Sequence, residues 1–264
     1  EDPRFVLDRT KEVRQVQDNP VYAGMMEAMD EGVGRVLDEL ETQGIADNTV
    51  VFFTSDNGGV SSGDGFATSC LPLRGGKGRQ WEGGIRQPLY IFWPGVTPGD
   101  TTSNVPVTGT DYYPTILEMA GLKLMPKQHL DGISIVDALK GRALPDRSLY
   151  WHYPHYGNQG GEPSAMIREG EWKLINYFED GRSELYHVNR DLGERENLAE
   201  QKPVKVRAML KELNDWQKGV GARFPTTNPN WNAEDYARQM EVLDERGIPN
   251  RIRQHAELLG ADYR

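Results

Sequence analysis

Apolar residues recur at helical spacing in a segment that begins near residue 20. Asn19 can cap this segment and Pro20 suits the first helical position, so the pattern predicts a helix that ends at Gly44. The apolar positions that define it are Tyr22, Met25, Met26, Met29, Val33, Val36, Leu37 and Leu40. The charged residues 1–18 lack a long apolar period, which predicts a surface segment.

Two short apolar runs predict buried strands. Residues 49–54 are β-branched and aromatic and are bounded by turn residues, which is typical of a strand in a parallel sheet. Residues 89–93 form a second run, which stops at Pro94. Further helices are predicted at residues 111–121 and 133–140. Helices and strands in this order indicate an α/β protein.

The pattern changes near Pro145. Short strand candidates at residues 149–153, 165–168, 172–178 and 184–188 are separated by glycine-containing turns, which predicts a small antiparallel sheet. An amphipathic helix is predicted from Pro203 to about Lys218. We therefore divide the chain into residues 1–145, a small antiparallel α+β subdomain at 146–222, and a surface tail at 223–264 with one or two helices.

Composition narrows the classes of function. The 264 residues carry 30 Lys and Arg against 40 Asp and Glu, a net charge of −10, which argues against general binding of nucleic acid. Any bound anion must therefore meet a local cationic site. The apolar runs are far shorter than the roughly 20 residues of a membrane-spanning helix, so no span is expected. The single cysteine, Cys70, excludes an internal disulfide.

The loop after the first predicted strand opens with an acid and an amide. Ligands gather at the carboxyl ends of strands in α/β sheets, and Asp56 and Asn57 lie at such an end. Their carboxylate and carbonyl groups offer two hard oxygen ligands suited to Ca²⁺ or Mg²⁺. Taken alone, this pattern favours the alternative of an ordinary Asn-Gly turn.

The same loop then becomes basic. Four cations and one acid lie between Arg74 and Arg86, which predicts a local anion site that includes Arg74 and Lys77. It is not a Walker phosphate loop, because Gly78 rather than Ser or Thr follows Lys77. A flexible surface lysine is the alternative interpretation of Lys77.

Taken together, these segments resemble the sulfatase family, the formylglycine-dependent arylsulfatases of the alkaline-phosphatase-like superfamily. The matching segments are residues 22–23, 29–30, 33–34, 54–58, 73–78, 81–86, 93–95, 110–115, 131–132, 172–174 and 184–186. The resemblance implies an alkaline-phosphatase-like mixed sheet flanked by helices, followed by a small antiparallel sheet and a helix. Residues 1–145 would then be the C-terminal part of a sulfatase catalytic domain.

The resemblance also implies a reaction, the hydrolysis of sulfate esters of small molecules or glycans. Asp56 and Asn57 would bind one divalent cation, usually calcium, and Lys77 would contact the sulfate and the ester oxygen. A fixed metal and an ammonium group lower the barrier where negative charge develops. The formylglycine nucleophile and the other metal ligands would come from an N-terminal sulfatase segment outside this chain. The family also implies a periplasmic or secreted protein.

Three further residues need an interpretation. Residues 70–74 fit the Cys-x-Pro-x-Arg pattern of formylglycine conversion, but their position after the Asp-Asn pair is wrong for the family, so we expect Cys70 to be an unmodified loop residue. His152 and His155 follow a strand that can reach the rim of the pocket in related sulfatases. They are predicted to contact the substrate, with structural packing among aromatic residues as the alternative.

Two other functions remain open from the sequence. The chain could be a relative that binds sulfated glycans without catalysis, having kept the basic loop and lost the nucleophile. It could also be a phosphoester or phosphonate hydrolase of the same superfamily. One calcium ion per site would support a sulfatase, and two transition-metal ions would support the phosphoester hydrolase.

Overall fold

The computed structural model describes residues 5–8, 11–62 and 66–242, and this part of the chain begins with two paired strands. Strands β1 (Phe5–Asp8) and β2 (Lys11–Arg14) pair in antiparallel fashion. The expectation of a plain surface segment is wrong here. Arg14 is only 3% exposed, and its backbone N–H donates to the carbonyl of Ser61 at 2.8 Å. This long-range contact fixes the hairpin, and no local pattern reveals it.

Helix α1 (Pro20–Thr42) confirms the helix that the apolar spacing predicts. The side chain of Asn19 caps it, accepting hydrogen bonds from the backbone N–H groups of Val21 and Tyr22 at 3.1 Å. No residue of α1 is buried against the described part of the chain, and Met25 is 63% exposed. The described residues therefore provide no layer that covers its apolar stripe.

Strands β3 (Val51–Thr54) and β4 (Leu89–Phe92) form a separate two-stranded sheet. They pair in antiparallel fashion and contain no buried residue, so the prediction of a buried strand of the parallel type is wrong for this structure. A four-residue apolar run does not specify how a strand pairs. Between them lies the short helix α2 (Glu82–Ile85).

Two helices follow β4. Helices α3 (Tyr112–Met119) and α4 (Val136–Leu139) confirm the two predicted after the second strand. The carboxylate of Asp111 accepts hydrogen bonds from the backbone N–H groups of Thr108 and Ile133, and it pairs with Arg147 at 2.5 Å. Asp111 thus connects the start of α3 to two later segments.

A four-stranded antiparallel sheet forms the main core and confirms the predicted small sheet. Its strands are β5 (Ser148–Tyr153), β6 (Ser164–Glu169), β7 (Trp172–Tyr177) and β8 (Ser183–His187), paired in chain order. Helix α5 (Pro203–Gly219) covers one face through the buried side chains of Met209 and Leu213. Trp81, which immediately precedes α2, packs against the other face.

One tail helix is described, α6 (Ala233–Val242). The rest of the predicted tail, residues 243–264, lies outside the described residues, so a second tail helix stays a prediction. No helix in the described ranges is both long enough and apolar enough to cross a membrane.

Candidate functional site

Main-chain hydrogen bonds bring the Asp-Asn segment and the lysine segment together. The backbone N–H of Lys77 donates to the carbonyl of Gly59 at 2.9 Å, and that of Gly58 donates to Gly84 at 3.0 Å. A Cβ atom on Gly58 would overlap the carbonyl of Gly83. Glycine is therefore required at residue 58 for these loop segments to approach so closely.

Asp56 and Asn57 lie at the end of β3 with their side chains in contact. Asp56 is exposed and makes no ion pair with any described residue. The amide nitrogen of Asn57 donates a hydrogen bond to the Oδ2 of Asp56 at 2.6 Å. The last side-chain torsion of Asn57 is only weakly restricted. A rotation of the amide group by 180° about it would place the amide oxygen, instead of the nitrogen, beside the carboxylate. The pair can then offer two oxygen ligands.

These two oxygens fit the chemistry of a hard cation but do not complete its coordination. Ca²⁺ takes about six to eight oxygen ligands in proteins. The described part of the chain contains no group of three or more His, Cys, Asp or Glu side chains that could hold a metal ion. The Asp-Asn pair therefore fits as one part of a cation site.

Lys77 is half-buried as a residue, and its ammonium group is not engaged by the described part of the chain. It makes no hydrogen bond or ion pair with the residues that the structure describes. Arg79, two residues on, is 3% exposed, and burial lowers its pKa. Arg86 is exposed and, like Lys77, makes no side-chain hydrogen bond or ion pair with a described residue. The basic cluster thus contains the buried Arg79 and two available cations, Lys77 and Arg86.

Arg74 makes extensive contacts inside the protein. Its guanidinium stacks on Trp81 at 3.6 Å from the ring centroid and donates twice to the carboxylate of Asp8, at 2.8 and 3.0 Å. It also donates to the hydroxyl of Tyr186 and the carbonyl of Glu194. Burial acts to lower the pKa of Arg74, but the hydrogen bonds and charge of Asp8 raise it above its ordinary value. Its predicted role in substrate binding stays a prediction.

A buried ion cluster fixes α2 to the antiparallel sheet. The Nζ of Lys173 lies 3.2 Å from Glu82 and 2.8 Å from Glu194, and all three side chains are at most 1% exposed. Arg168 adds a contact to Glu82 at 3.3 Å. Burial raises the pKa of Glu194, against the lowering effect of Lys173. Sequence reasoning missed this cluster because one sequence gives no signal that residues 82, 173 and 194 meet.

His152 is packed rather than open to the loop. Its ring lies 5.3 Å from Phe178 and 5.3 Å from Phe224, with Nε2 2.8 Å from the carbonyl of Arg223 and Nδ1 3.0 Å from the amide nitrogen of Gln217. With these partners, Nε2 is the ring nitrogen placed to donate to the carbonyl, and Nδ1 is the one placed to accept from the amide. The contacts match the packing alternative, and a substrate contact by His152 stays a prediction.

His155 lies on the surface after β5. It is exposed, and its ring meets the edge of Tyr153 at 5.4 Å between centroids. The loop that follows packs on the lysine segment, since a Cβ atom on Gly161 would overlap the carbonyl of Gly78. The structure thus places residues 157–161, rather than His155 itself, against the glycine next to Lys77.

Cys70 lies in the loop between β3 and α2. The structure shows turns and bends at residues 71–75, with no helix beginning at the cysteine. Burial raises the pKa of the thiol, and its Sγ contacts the carbonyl of Gly59 at 3.6 Å. This environment favours an unreactive Cys70 thiol over a nucleophilic one.

We expect Cys70 of the folded protein to react with iodoacetamide about ten-fold more slowly than glutathione at pH 7.5, because a raised pKa leaves less thiolate. Mass spectrometry of the peptide that contains residue 70 checks both the rate and the chemical state. The same protein in denaturant is the control, since its thiol has an ordinary pKa. Equal rates in the folded and unfolded protein, or an aldehyde at this position, would contradict the expectation.

Comparison with known proteins places these residues in a family. The model of the family described as Sulfatase matches residues 3–122, and that described as N-sulphoglucosamine sulphohydrolase, C-terminal, matches residues 77–218. A sulfatase of Formosa agariphila is 40% identical over 201 residues, which is 69% of this chain and 36% of that protein. The steryl-sulfatase of Mus musculus is 38% identical over 143 residues, 52% of this chain and 22% of that protein.

Solved structures agree with these sequence relatives. The crystal structure of Ps i-CgsB in complex with k-i-k-neocarrahexaose superposes with a TM-score of 0.66 at 27% identity, covering 90% of this chain and 50% of that one. The structure of BT4656 in complex with its substrate D-glucosamine-2-N,6-O-disulfate gives a TM-score of 0.60 at 26% identity, covering 73% and 39%. The chain therefore spans half or less of the length of these relatives.

Proposed function

This chain belongs to the sulfatase family, and we propose that it carries one part of a site that hydrolyses sulfate esters of carbohydrates. The observation that supports this most strongly is the hydrogen bond from the backbone N–H of Lys77 to the carbonyl of Gly59, two residues after Asn57. It joins the residue that carries the available ammonium group to the segment of the Asp-Asn pair. The sulfated sugar bound by BT4656 and the oligosaccharide bound by Ps i-CgsB favour a carbohydrate substrate.

In this proposal Asp56 and Asn57 hold one divalent cation, preferably Ca²⁺, through their side-chain oxygens. When bound, the cation supplies positive charge beside the sulfate oxygens. The formylglycine nucleophile and the remaining cation ligands come from sulfatase sequence outside this chain.

Lys77 donates hydrogen bonds to the sulfate and to the oxygen of the leaving alcohol. Negative charge develops on that oxygen as the sulfur–oxygen bond breaks, so an ammonium group already in place stabilises the transition state more than the bound substrate. The buried cluster of Lys173, Glu82 and Glu194 helps to hold the loop in position, because it fixes α2 to the sheet. The carbonyl of Gly84 in α2 in turn accepts a hydrogen bond from the backbone N–H of Gly58. Such a support limits reorganisation of the loop during the reaction.

Replacing Asp56 by alanine in the complete natural protein is expected to weaken Ca²⁺ binding at least ten-fold, because one of two hard ligands from this chain is lost. Calorimetric titration of the metal-free protein measures the affinity, and sulfate release from glucosamine 6-sulfate and from carrageenan oligosaccharides measures turnover. The exposed Asp146, replaced by alanine, is the matched control. Unchanged calcium affinity would remove Asp56 from the site, and two bound transition-metal ions with phosphoester hydrolysis would overturn the proposed function.

A further inference from the structure

The hairpin of β1 and β2 contacts two arginines that flank Lys77 in the sequence. The carboxylate of Asp8, the last residue of β1, accepts two hydrogen bonds from the guanidinium of Arg74, at 2.8 and 3.0 Å. The backbone carbonyl of Asp8 accepts another from Nη1 of Arg79, at 3.2 Å. Arg74 precedes Lys77 by three residues, and Arg79 follows it by two. Asp8 therefore holds the segment that carries Lys77 on both sides.

The segment between the two arginines contains little that would fix its own backbone. Three of its four residues are glycines, and Gly75 and Gly78 adopt positive φ values of 72° and 78°. Glycine gives a backbone more conformational freedom than any other residue. The hydrogen bond from the N–H of Lys77 to the carbonyl of Gly59 fixes the middle of this segment, and the contacts of Asp8 fix its two ends.

Asp8 also supplies negative charge to two neighbouring cations. The guanidinium groups of Arg74 and Arg79 lie 3.6 and 5.6 Å from the centroid of the Trp81 ring. Burial lowers the pKa of Arg79, the charge of Asp8 acts against this, and the charge of Arg74 adds to it. Without the Asp8 carboxylate, the two guanidinium groups would repel each other with less compensation, which favours a shift of the loop that joins them.

A second contact attaches the hairpin without involving Asp8. The backbone N–H of Arg14 in β2 donates to the carbonyl of Ser61, and its Nη1 donates to the carbonyl of Phe66, both at 2.8 Å. A substitution of Asp8 therefore removes the contacts with the flanking arginines while the hairpin keeps this attachment.

We propose that Asp8 is a positioning residue for sulfate-ester hydrolysis, which acts by fixing the loop that presents Lys77. This proposal rests on the proposed function. It gives the β1–β2 hairpin a role in the reaction rate, and it makes that role depend on the ammonium group of Lys77.

The first test is a double-mutant cycle in the complete natural protein. Asp8→Ala is expected to lower kcat on glucosamine 6-sulfate about ten-fold, because a displaced Lys77 stabilises the leaving oxygen less well. In a Lys77→Ala background the same change should lower kcat less than about two-fold, because the group that Asp8 positions is already absent. Asp8→Asn, which keeps the shape of the side chain and loses its charge, should show the same dependence with a smaller loss.

The matched control is Glu12→Ala, which removes an exposed acid of the same hairpin. It should keep the unmodified kcat in both backgrounds. A purely structural effect of Asp8 would lower kcat by the same factor whether or not Lys77 is present.

The second test measures the loop without turnover. Amide hydrogen exchange is followed by mass spectrometry of the peptide that contains residues 74–79. Asp8→Ala should raise its exchange rate about ten-fold, because the hydrogen bond from Lys77 to Gly59 opens more often when the ends of the loop are released. Exchange in β7 should stay unchanged, since that strand lies in the main sheet.

The outcomes separate the two proposals. If the unmodified protein hydrolyses no sulfate ester, the proposed function fails and the role of Asp8 in the reaction fails with it. If the protein is active, the positioning role alone is overturned by an unchanged kcat in Asp8→Ala, by an equal loss with and without Lys77, or by unchanged exchange of residues 74–79. A loss that depends on Lys77, together with faster exchange confined to the loop, supports it.

Discussion

Replacing Lys77 by alanine in the complete natural protein is expected to lower kcat for sulfate-ester hydrolysis by about 10²-fold or more. In the proposed function Lys77 donates to the leaving oxygen, and its side chain is not engaged by any described residue. Steady-state kinetics on a sugar sulfate measure the effect. The loss should be smaller for 4-nitrophenyl sulfate, because its leaving phenolate needs less stabilisation than a sugar alkoxide.

The exposed Lys127, replaced by alanine, is the control for the loss of one positive charge. It should keep the unmodified rate on both substrates. A Lys77→Ala variant with an unmodified rate would remove this residue from the mechanism. An equal loss on both substrates would remove the leaving-group role while keeping a role in sulfate binding.

Replacing Lys173 by methionine is expected to lower the free energy of unfolding by about 3–5 kcal/mol. The variant leaves the carboxylates of Glu82 and Glu194 buried without their cation, apart from the contact of Glu82 with Arg168. Denaturant titration at neutral pH measures the loss. Because burial already raises the pKa of Glu194, the loss should shrink as the pH falls and protonates Glu194.

The matched control is Lys205→Met, which breaks the partly exposed pair with Glu169. Such pairs contribute about 0–1 kcal/mol, so the control should change stability little. A variant with Lys173→Met, Glu82→Gln and Glu194→Gln together should recover part of the loss, since no unpaired carboxylate remains buried. Equal stability of the Lys173 and Lys205 variants would show that the cluster does not anchor α2.

Much of the fold follows from periodicity along the chain. Helix α1, the four strands of the main sheet and α5 each carry a repeating apolar pattern together with caps or glycine turns, and each forms near the predicted residues. The N-terminal hairpin and the pairing of β3 with β4 depend on partners far away in the sequence. A four-residue strand carries too little pattern to specify such a partner.

The candidate site shows the same division. Residue type and family resemblance predict Asp56, Asn57 and Lys77 as site residues, and their segments meet through Gly59. Arg74 belonged to the same basic cluster by sequence, yet it pairs with Asp8, 66 residues away. Charge counted along the chain could not distinguish an engaged arginine from an available lysine, because only the folded contacts separate them.

The most direct test is a crystal structure of the complete natural protein grown with Ca²⁺ and inorganic sulfate. The expected result is one calcium ion bound by the side-chain oxygens of Asp56 and Asn57, with a sulfate ion that touches both the calcium and the Nζ of Lys77. Calcium and sulfate bound in separate places, or a Lys77 side chain directed away from both, would contradict the shared site.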